Sequence, residues 1–341
     1  MNIAIVGAGP VGLYTAGLLR SLYPDGRVQV FEKRSEDQIT GFGYTVHGQS
    51  LELLGILHPA VASAIAQLGA QPFTRRTIAF RDIHWELDPE VSSKTPIIGV
   101  EYDSLLQVLR QHARAAGVAL HYAATVSDLQ ELARDHDLVI VANGANSAFL
   151  QRFDPIKVET RLAYAWGKAA ESAAEMAMSL DTLADIPFIC HRYPISKTAS
   201  ALIFEVAIEQ AAEADQAFSR SPRTSQYFPT GASFRPIPLC LCRKRVHANI
   251  VCIGDAALAQ YFAAGAGLYF GLMQTGLLFH HLDQTPGSIA AKLKAYDSRA
   301  RDYFRHQWQP NKSLVKKKRE LLAAYAQMSD DAVLRAMVAT G

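Results

Sequence analysis

Four apolar residues in a row, Ile3-Ala4-Ile5-Val6, run straight into Gly7-Ala8-Gly9-Pro10-Val11-Gly12, and the chain then takes up helical spacing through Leu13, Ala16, Leu18 and Leu19. A short unbroken apolar run is the signature of a parallel strand buried on both faces, so the opening reads as strand, glycine turn and helix. A second strand, Val28-Gln29-Val30-Phe31, ends in Glu32. A helix is predicted from about Asp103 to Ala116 on Leu105, Leu106, Val108 and Leu109, then strands at Val118 to Tyr122, Asp137 to Val141 and, much later, Ile250 to Ile253. Strands alternating with helices predict an α/β fold around a parallel sheet.

Between Pro155 and about Arg245 the pattern changes to alternating stretches, among them Arg161 to Trp166, Pro187 to His191 and Ala201 to Val206. These predict antiparallel strands. With Thr77 to Phe80 and Ile83 to Leu87 they form a second sheet, with helices over Ala169 to Leu180 and Glu209 to Phe218. From Ser288 onward the chain reads as helical, and Lys312, Lys316, Lys317, Lys318 and Arg319 form a charge run there. Such a run reads first as a solvated face and, more sharply, as a phosphate-binding rim suited to a CoA thioester.

At 341 residues the chain has room for about two domains. Lysine and arginine exceed aspartate and glutamate by only 34 − 32 = 2, which argues against an overall grip on nucleic acid or an anionic membrane. No apolar stretch suits a membrane span, since Asp255 and Gln260 interrupt the longest candidate. Cys190, Cys240, Cys242 and Cys252 lack the spacing of a zinc site and read as reduced structural thiols. Together with a first strand too short for a signal sequence, they predict a cytoplasmic protein with no metal.

The glycines carry the first chemistry. Gly7 allows a tight turn, Gly9 lets a pyrophosphate approach the backbone with Pro10 and Val11 alongside, and Gly12 lets the helix pack close to the strand. Glu32, about 20 residues beyond the last glycine, suits an adenosine ribose, with Lys33 and Arg34 next to it. The pair fits NAD and FAD alike. The loops Ala142 to Ser147, Gly254 to Ala257 and Gly265-Ala266-Gly267 follow further strands, where open α/β sheets bind ligands.

At these residues the chain resembles the single-component, FAD-dependent aromatic hydroxylases. The resemblance implies that Asp255 of Gly254-Asp255 bonds the flavin ribityl chain, and that Gly265, Ala266 and Gly267 present backbone N–H groups to the pyrimidine end. Asn143-Gly144 matches a motif usually written Asp-Gly. Phe262 in place of proline, Gly41-Phe42-Gly43 and Cys190-His191-Arg192-Tyr193 are similar to the branch containing protodeoxyviolaceinate monooxygenase and the anthraniloyl-CoA and salicylyl-CoA hydroxylases. Three positions depart from the family pattern: Tyr102 replaces a flavin-contacting arginine, Leu258 a histidine and Tyr269 an asparagine.

The implied fold is a Rossmann-like FAD-binding domain with a parallel sheet (1–72, 97–153 and 248–285), an inserted, mostly antiparallel substrate domain (73–96 and 154–247) and C-terminal helices (286–341). The implied reaction uses NADH or NADPH and O₂ to hydroxylate an electron-rich aromatic or indole-type molecule through a flavin C4a-hydroperoxide. No second glycine motif exists for nicotinamide, so the reductant is expected to dock transiently. Tyr44, Trp166, Tyr193 and Phe262 are the substrate-wall candidates, and His191 is the candidate that hydrogen-bonds or deprotonates the substrate. A flavin oxidase or dehydrogenase of an amine or alcohol, and a silent flavin-binding carrier, are the alternatives. The expected partners are a small aromatic molecule and O₂, with a homodimer as the assembly considered.

Overall fold

The strand Asn2–Val6 sits at the centre of a six-stranded sheet, parallel to Arg27–Phe31 on one side and Leu138–Val141 on the other. Its neighbours extend the sheet outward to Ala119–His121 and to Ile250–Cys252, all parallel, and only the edge strand Val246–His247 runs against them. The computed structural model describes residues 1–39, 41, 43–69, 76–80, 83–86, 97–173, 175–261, 267–325 and 330–338. Ile3, Ile5, Leu138 and Ile140 are fully buried, as expected of central parallel strands covered on both faces. The helix Pro10–Leu22 packs on one face and is pinned to the helix Gly267–Gln284 by a buried hydrogen bond between the Thr15 and Thr275 hydroxyls, 2.9 Å apart.

A seven-stranded sheet runs in the order Arg235–Pro236, Leu162–Ala169, Ser200–Ala207, Ile186–Pro194, Met176–Leu183, Arg76–Phe80, Ile83–Glu86. All pairs are antiparallel except Met176–Leu183 with Arg76–Phe80. One face is closed by the helix Ala211–Arg220, whose Phe218 meets Phe188 and Phe204 with ring centroids 5.1 and 5.2 Å apart. The opposite face carries Tyr164 opposite Glu205, and His191 opposite both Met178 and Ile203, with Tyr193 one step further along. The 36-residue helix Ile289–Ala324 lies against that face.

Two expectations need correction. The segment Ala169 to Leu180 is no helix: Leu162–Ala169 is a strand through its last residue, and Met176–Leu183 is a strand between Arg76–Phe80 and Ile186–Pro194. Its alanines and methionines favour helix locally, but pairing on both sides supplies hydrogen bonds that local propensity cannot match. The basic run of the C-terminal helix is not uniformly solvated either. Lys316 and Lys317 are exposed, whereas Lys318 is fully buried. Trp308, Asn311, Val315, Lys318 and Leu322 are all buried, and their steps of three and four residues place Lys318 on the stripe that faces the sheet.

No helix among the described residues is long and apolar enough to cross a membrane. The four cysteines are buried and free.

Candidate active site

Gly7 ends the central strand at φ +112°, a conformation that disfavours any side chain, and its N–H donates to the Phe31 carbonyl at 2.8 Å. A Cβ there would lie 2.6 Å from the Ala142 carbonyl oxygen, so the turns that follow Asn2–Val6 and Leu138–Val141 meet closely. At Gly12 a Cβ would fall 2.1 Å from the Gly7 carbonyl oxygen, which lets the helix start directly under the strand end. Gly9 and Gly144 face open space, with nothing within 4 Å of an added Cβ. That space is a cavity of about 460 Å³ running over the strand ends from Glu32 to Asp255.

Glu32 closes one end. It is buried, its Oε2 accepts the Ala8 N–H at 3.1 Å, and its Oε1 accepts both the Arg34 N–H at 3.1 Å and Arg34 Nε at 2.9 Å. Burial pushes its carboxyl up, but the Arg34 side chain and the two backbone N–H groups outweigh that and hold it below the usual range. The site therefore presents an ionised acceptor.

Asp255 marks the other end. Its side chain has accessible surface because it borders the cavity, yet protein surrounds the cavity deeply enough that burial pushes the carboxyl up to about 6. Gly267 starts its helix beside it, with room for a Cβ 3.7 Å from Asp255 Oδ1. Tyr44 lines the same end and stacks on Tyr102 at 5.7 Å, and burial raises the Tyr44 phenol well above its ordinary range, with Tyr102, Asp255, Tyr193 and Tyr164 adding to the effect. Tyr193 is buried and donates its O–H to the Gly43 carbonyl at 3.4 Å. The aromatic cluster at this end draws Tyr44 from the short strand Tyr44–His47, Tyr102 from the start of the helix Tyr102–Ala115, and Tyr193 from the seven-stranded sheet.

Residues 1–144 match the family described as the FAD binding domain. Over 88% of its length the chain is 26% identical to protodeoxyviolaceinate monooxygenase of Chromobacterium violaceum, covering 84% of that protein. It is 28% identical to salicyloyl-CoA 5-hydroxylase of a Streptomyces species over 88% of its own length and 62% of the relative's. Residues 1–144 thus carry an FAD binding domain, and most of the chain is similar to FAD-dependent monooxygenases. Its fold superposes on 2-methyl-3-hydroxypyridine-5-carboxylic acid oxygenase at a TM-score of 0.69 and 15% identity, covering 98% of this chain and 95% of that one. A probable FAD-dependent monooxygenase from Pseudomonas aeruginosa gives 0.71 at 14% identity over 99% of both.

The residues of this monooxygenase fit FAD. Gly9 and Gly144 leave backbone open to a pyrophosphate, Glu32 offers a carboxylate to a ribose, and Asp255 is a desolvated carboxylate with no cation beside it to neutralise it, suited to ribityl hydroxyls. Pro10, Val11, Lys33, Arg34, Tyr102, Asn143, Gly254 and Gly267 also border the cavity. Gly43 adjoins it at φ +141°, fixed by the Tyr193 hydrogen bond. Phe262, Gly265 and Ala266 lie outside the described residues. Trp166 stands on the same sheet face as His191 and is 40% exposed.

The departures differ in consequence. Tyr102 borders the cavity, filling the space above Gly41, where a Cβ would lie 2.6 Å from its ring. Leu258 is buried in the core, whereas Tyr269 is half-buried and packs edge-on against Phe270 at 5.2 Å.

His191 is placed where the sequence alone did not foresee. It is buried, with Nε2 2.8 Å from Lys318 Nζ and 2.8 Å from Glu205 Oε1. Glu205 and Lys318 are fully buried 3.5 Å apart, and Tyr261 donates its O–H to Glu205 Oε2. Glu205 stood in plain view as the single charge in an otherwise apolar strand, and Lys318 on a 3-4 stripe; both signals were available in the spacing.

Proposed function

We propose that the monooxygenase hydroxylates an electron-rich aromatic or indole-type molecule, bound where the cavity end at Asp255 meets the aromatic face of the seven-stranded sheet. The observation that carries this reading is the pair Tyr44 and Tyr102, stacked at 5.7 Å on the cavity wall, with Tyr164 and Tyr193 of the seven-stranded sheet close to Tyr44. An aromatic wall packs a planar ring and keeps water away from the reacting carbon. When bound, FAD supplies the activation of O₂ with electrons taken from NADH or NADPH. Glu32 holds the adenosine half, Asp255 holds the ribityl chain, and the tyrosines orient the ring. His191, on the same face as Tyr193, is assigned to the substrate's heteroatom.

The names of two relatives specify an aryl-CoA and an aryl group on a carrier protein, so aryl thioesters belong in the substrate class to be tested. The inserted sheet (73–96 and 154–247) acts as the substrate domain, and the four free cysteines suit the cytoplasm. The purified protein should be yellow, release FAD on denaturation, and oxidise NAD(P)H slowly until an aromatic ligand accelerates it. Equal oxidation with and without every member of a panel of phenols, anilines, indoles and aryl-CoA thioesters would count against the reading.

A further inference from the structure

The C-terminal helix, the seven-stranded sheet and the segment after Ala259 meet in one buried polar cluster. Lys318 comes from the helix, His191 and Glu205 from the sheet, and Tyr261 from the segment. Asn311, two helical turns before Lys318, accepts the Tyr261 backbone N–H at 3.0 Å, so the helix holds Tyr261 at one point and the sheet at another. None of these groups borders the dinucleotide cavity among the described residues.

Hydrogen-bond direction fixes the state of the imidazole. A lysine ammonium has three N–H donors and no lone pair. Its hydrogen bond to His191 Nε2 at 2.8 Å therefore requires the lone pair on Nε2, and the single proton of a neutral ring then sits on Nδ1. The approach of Nε2 to Glu205 Oε1 is not aligned as a hydrogen bond, and Oε1 instead faces the ammonium as its ion-pair partner. Glu205 Oε2 is taken by the Tyr261 hydroxyl. Charge gives the same answer: one ammonium and one carboxylate leave the cluster neutral with His191 uncharged, and a third charge would add an unbalanced cation in a site shut off from water.

His191 Nδ1 is the group left over. It is buried and has no hydrogen-bond partner among the described residues. Two residues along the strand, Tyr193 reaches the Gly43 carbonyl at the cavity end.

We infer that Lys318 is a positioning residue that holds His191 neutral, with its proton on Nδ1 and its Nε2 lone pair occupied, so that His191 is not a proton-abstracting base. Tyr261 and Glu205 complete the device by holding the ammonium in place.

Burial and the Lys318 charge both depress the His191 imidazole, with Glu205 opposing them. Burial would raise the Glu205 carboxyl, but Lys318, His191 and Tyr261 outweigh it and keep the group ionised. Burial lowers Lys318 while Glu205 supports its charge. Among the described residues, Lys318, Glu205 and Tyr261 are the titratable or charged groups that face His191 from the helix, the sheet and the segment.

The test is tautomer-resolved NMR of the holoprotein labelled with ¹⁵N-histidine, the His191 signal being assigned by its loss in His191→Gln. Long-range ¹H–¹⁵N correlations distinguish Nδ1–H, Nε2–H and the doubly protonated ring. The expected result is the Nδ1–H pattern, unchanged from pH 5.5 to 8.5. An Nε2–H pattern, or a ring that protonates within that window, overturns the inference using the wild-type protein alone. In Lys318→Met the carboxylate loses its cation, and His191 should take up a proton with its midpoint raised at least 1 pH unit, about a tenfold gain in proton affinity. Lys318→Arg should restore the neutral ring, which a purely space-filling role for Lys318 would not require. Unaltered His191 spectra in a folded Lys318→Met protein would also overturn it. Turnover is not part of this readout, so failure of the hydroxylase reading would show separately, as absence of product alongside the expected tautomer.

Discussion

Asp255→Asn should make the flavin-free protein more stable while weakening its hold on FAD. In the folded apoprotein burial lifts the Asp255 carboxyl from 3.8 to about 6. The sign follows from proton linkage: a carboxyl whose folded value is raised costs nothing below its unfolded value, and its ionisation removes stability as pH rises from near 4 to about 6. A fully buried group shifted this far would lose ~3 kcal/mol above pH 6, but this one faces water in the cavity, and solvent screening cuts the effect to roughly 1 kcal/mol. Asparagine has the same shape and never ionises. Its gain in melting temperature, about 1–2 °C for a chain of this size, should therefore be absent at pH 4 and complete above pH 6. FAD affinity should fall by about 5- to 10-fold, the difference between a hydrogen bond to a charged acceptor and one to a neutral acceptor. Differential scanning fluorimetry of deflavinated protein from pH 4 to 8, with FAD titration at pH 7.5, measures both. A stability gain of equal size at pH 4 and pH 8 would refute the desolvation argument, and undiminished FAD affinity would remove Asp255 from the ribityl site.

Glu32→Ala should weaken FAD by about 1.5–3 kcal/mol, roughly 10- to 100-fold, since it removes a charge-assisted acceptor and also frees the Ala8 N–H; flavin fluorescence on dilution reports it. Gly12→Ala places a methyl 2.1 Å from the Gly7 carbonyl oxygen, so the helix must back away; the expected cost is about 1–3 kcal/mol of stability together with FAD loss, and normal flavin content would contradict it. His191→Phe should retain the flavin spectrum while product per NAD(P)H falls and H₂O₂ rises. If coupling stays normal in the folded variant, His191 does not touch the substrate.

Much of the fold is legible because central parallel strands leave an unmistakable trace. Ile3 to Val6 and Leu138 to Val141 are apolar without interruption, and glycines follow where the chain must turn under a helix. Ala169 to Leu180 reads as helix in the sequence because alanine and methionine carry a local preference, whereas the strand there is fixed by partners up to 100 residues away in sequence, such as Arg76 against Met176. The cofactor end of the site is readable for a related reason: Gly7, Gly9, Gly12 and Glu32 act through backbone shape and one fixed spacing. The substrate end is not, because Glu205, Tyr261 and Lys318 are brought together only when three separate elements pack. A lysine among other lysines resembles a solvated face, and only the spacing from Trp308 through Leu322 shows that Lys318 points inward.

The central claim, that this FAD-dependent monooxygenase places one oxygen atom of O₂ on an aromatic ring, is tested most directly by isotope incorporation. Purified holoprotein would be given NAD(P)H under ¹⁸O₂ with the panel of phenols, anilines, indoles and aryl-CoA thioesters, and the products weighed by mass spectrometry. The account predicts a hydroxylated product carrying a single ¹⁸O, formed in step with NAD(P)H consumed. A dehydrogenated product with no label, and all the ¹⁸O recovered as hydrogen peroxide, would contradict it.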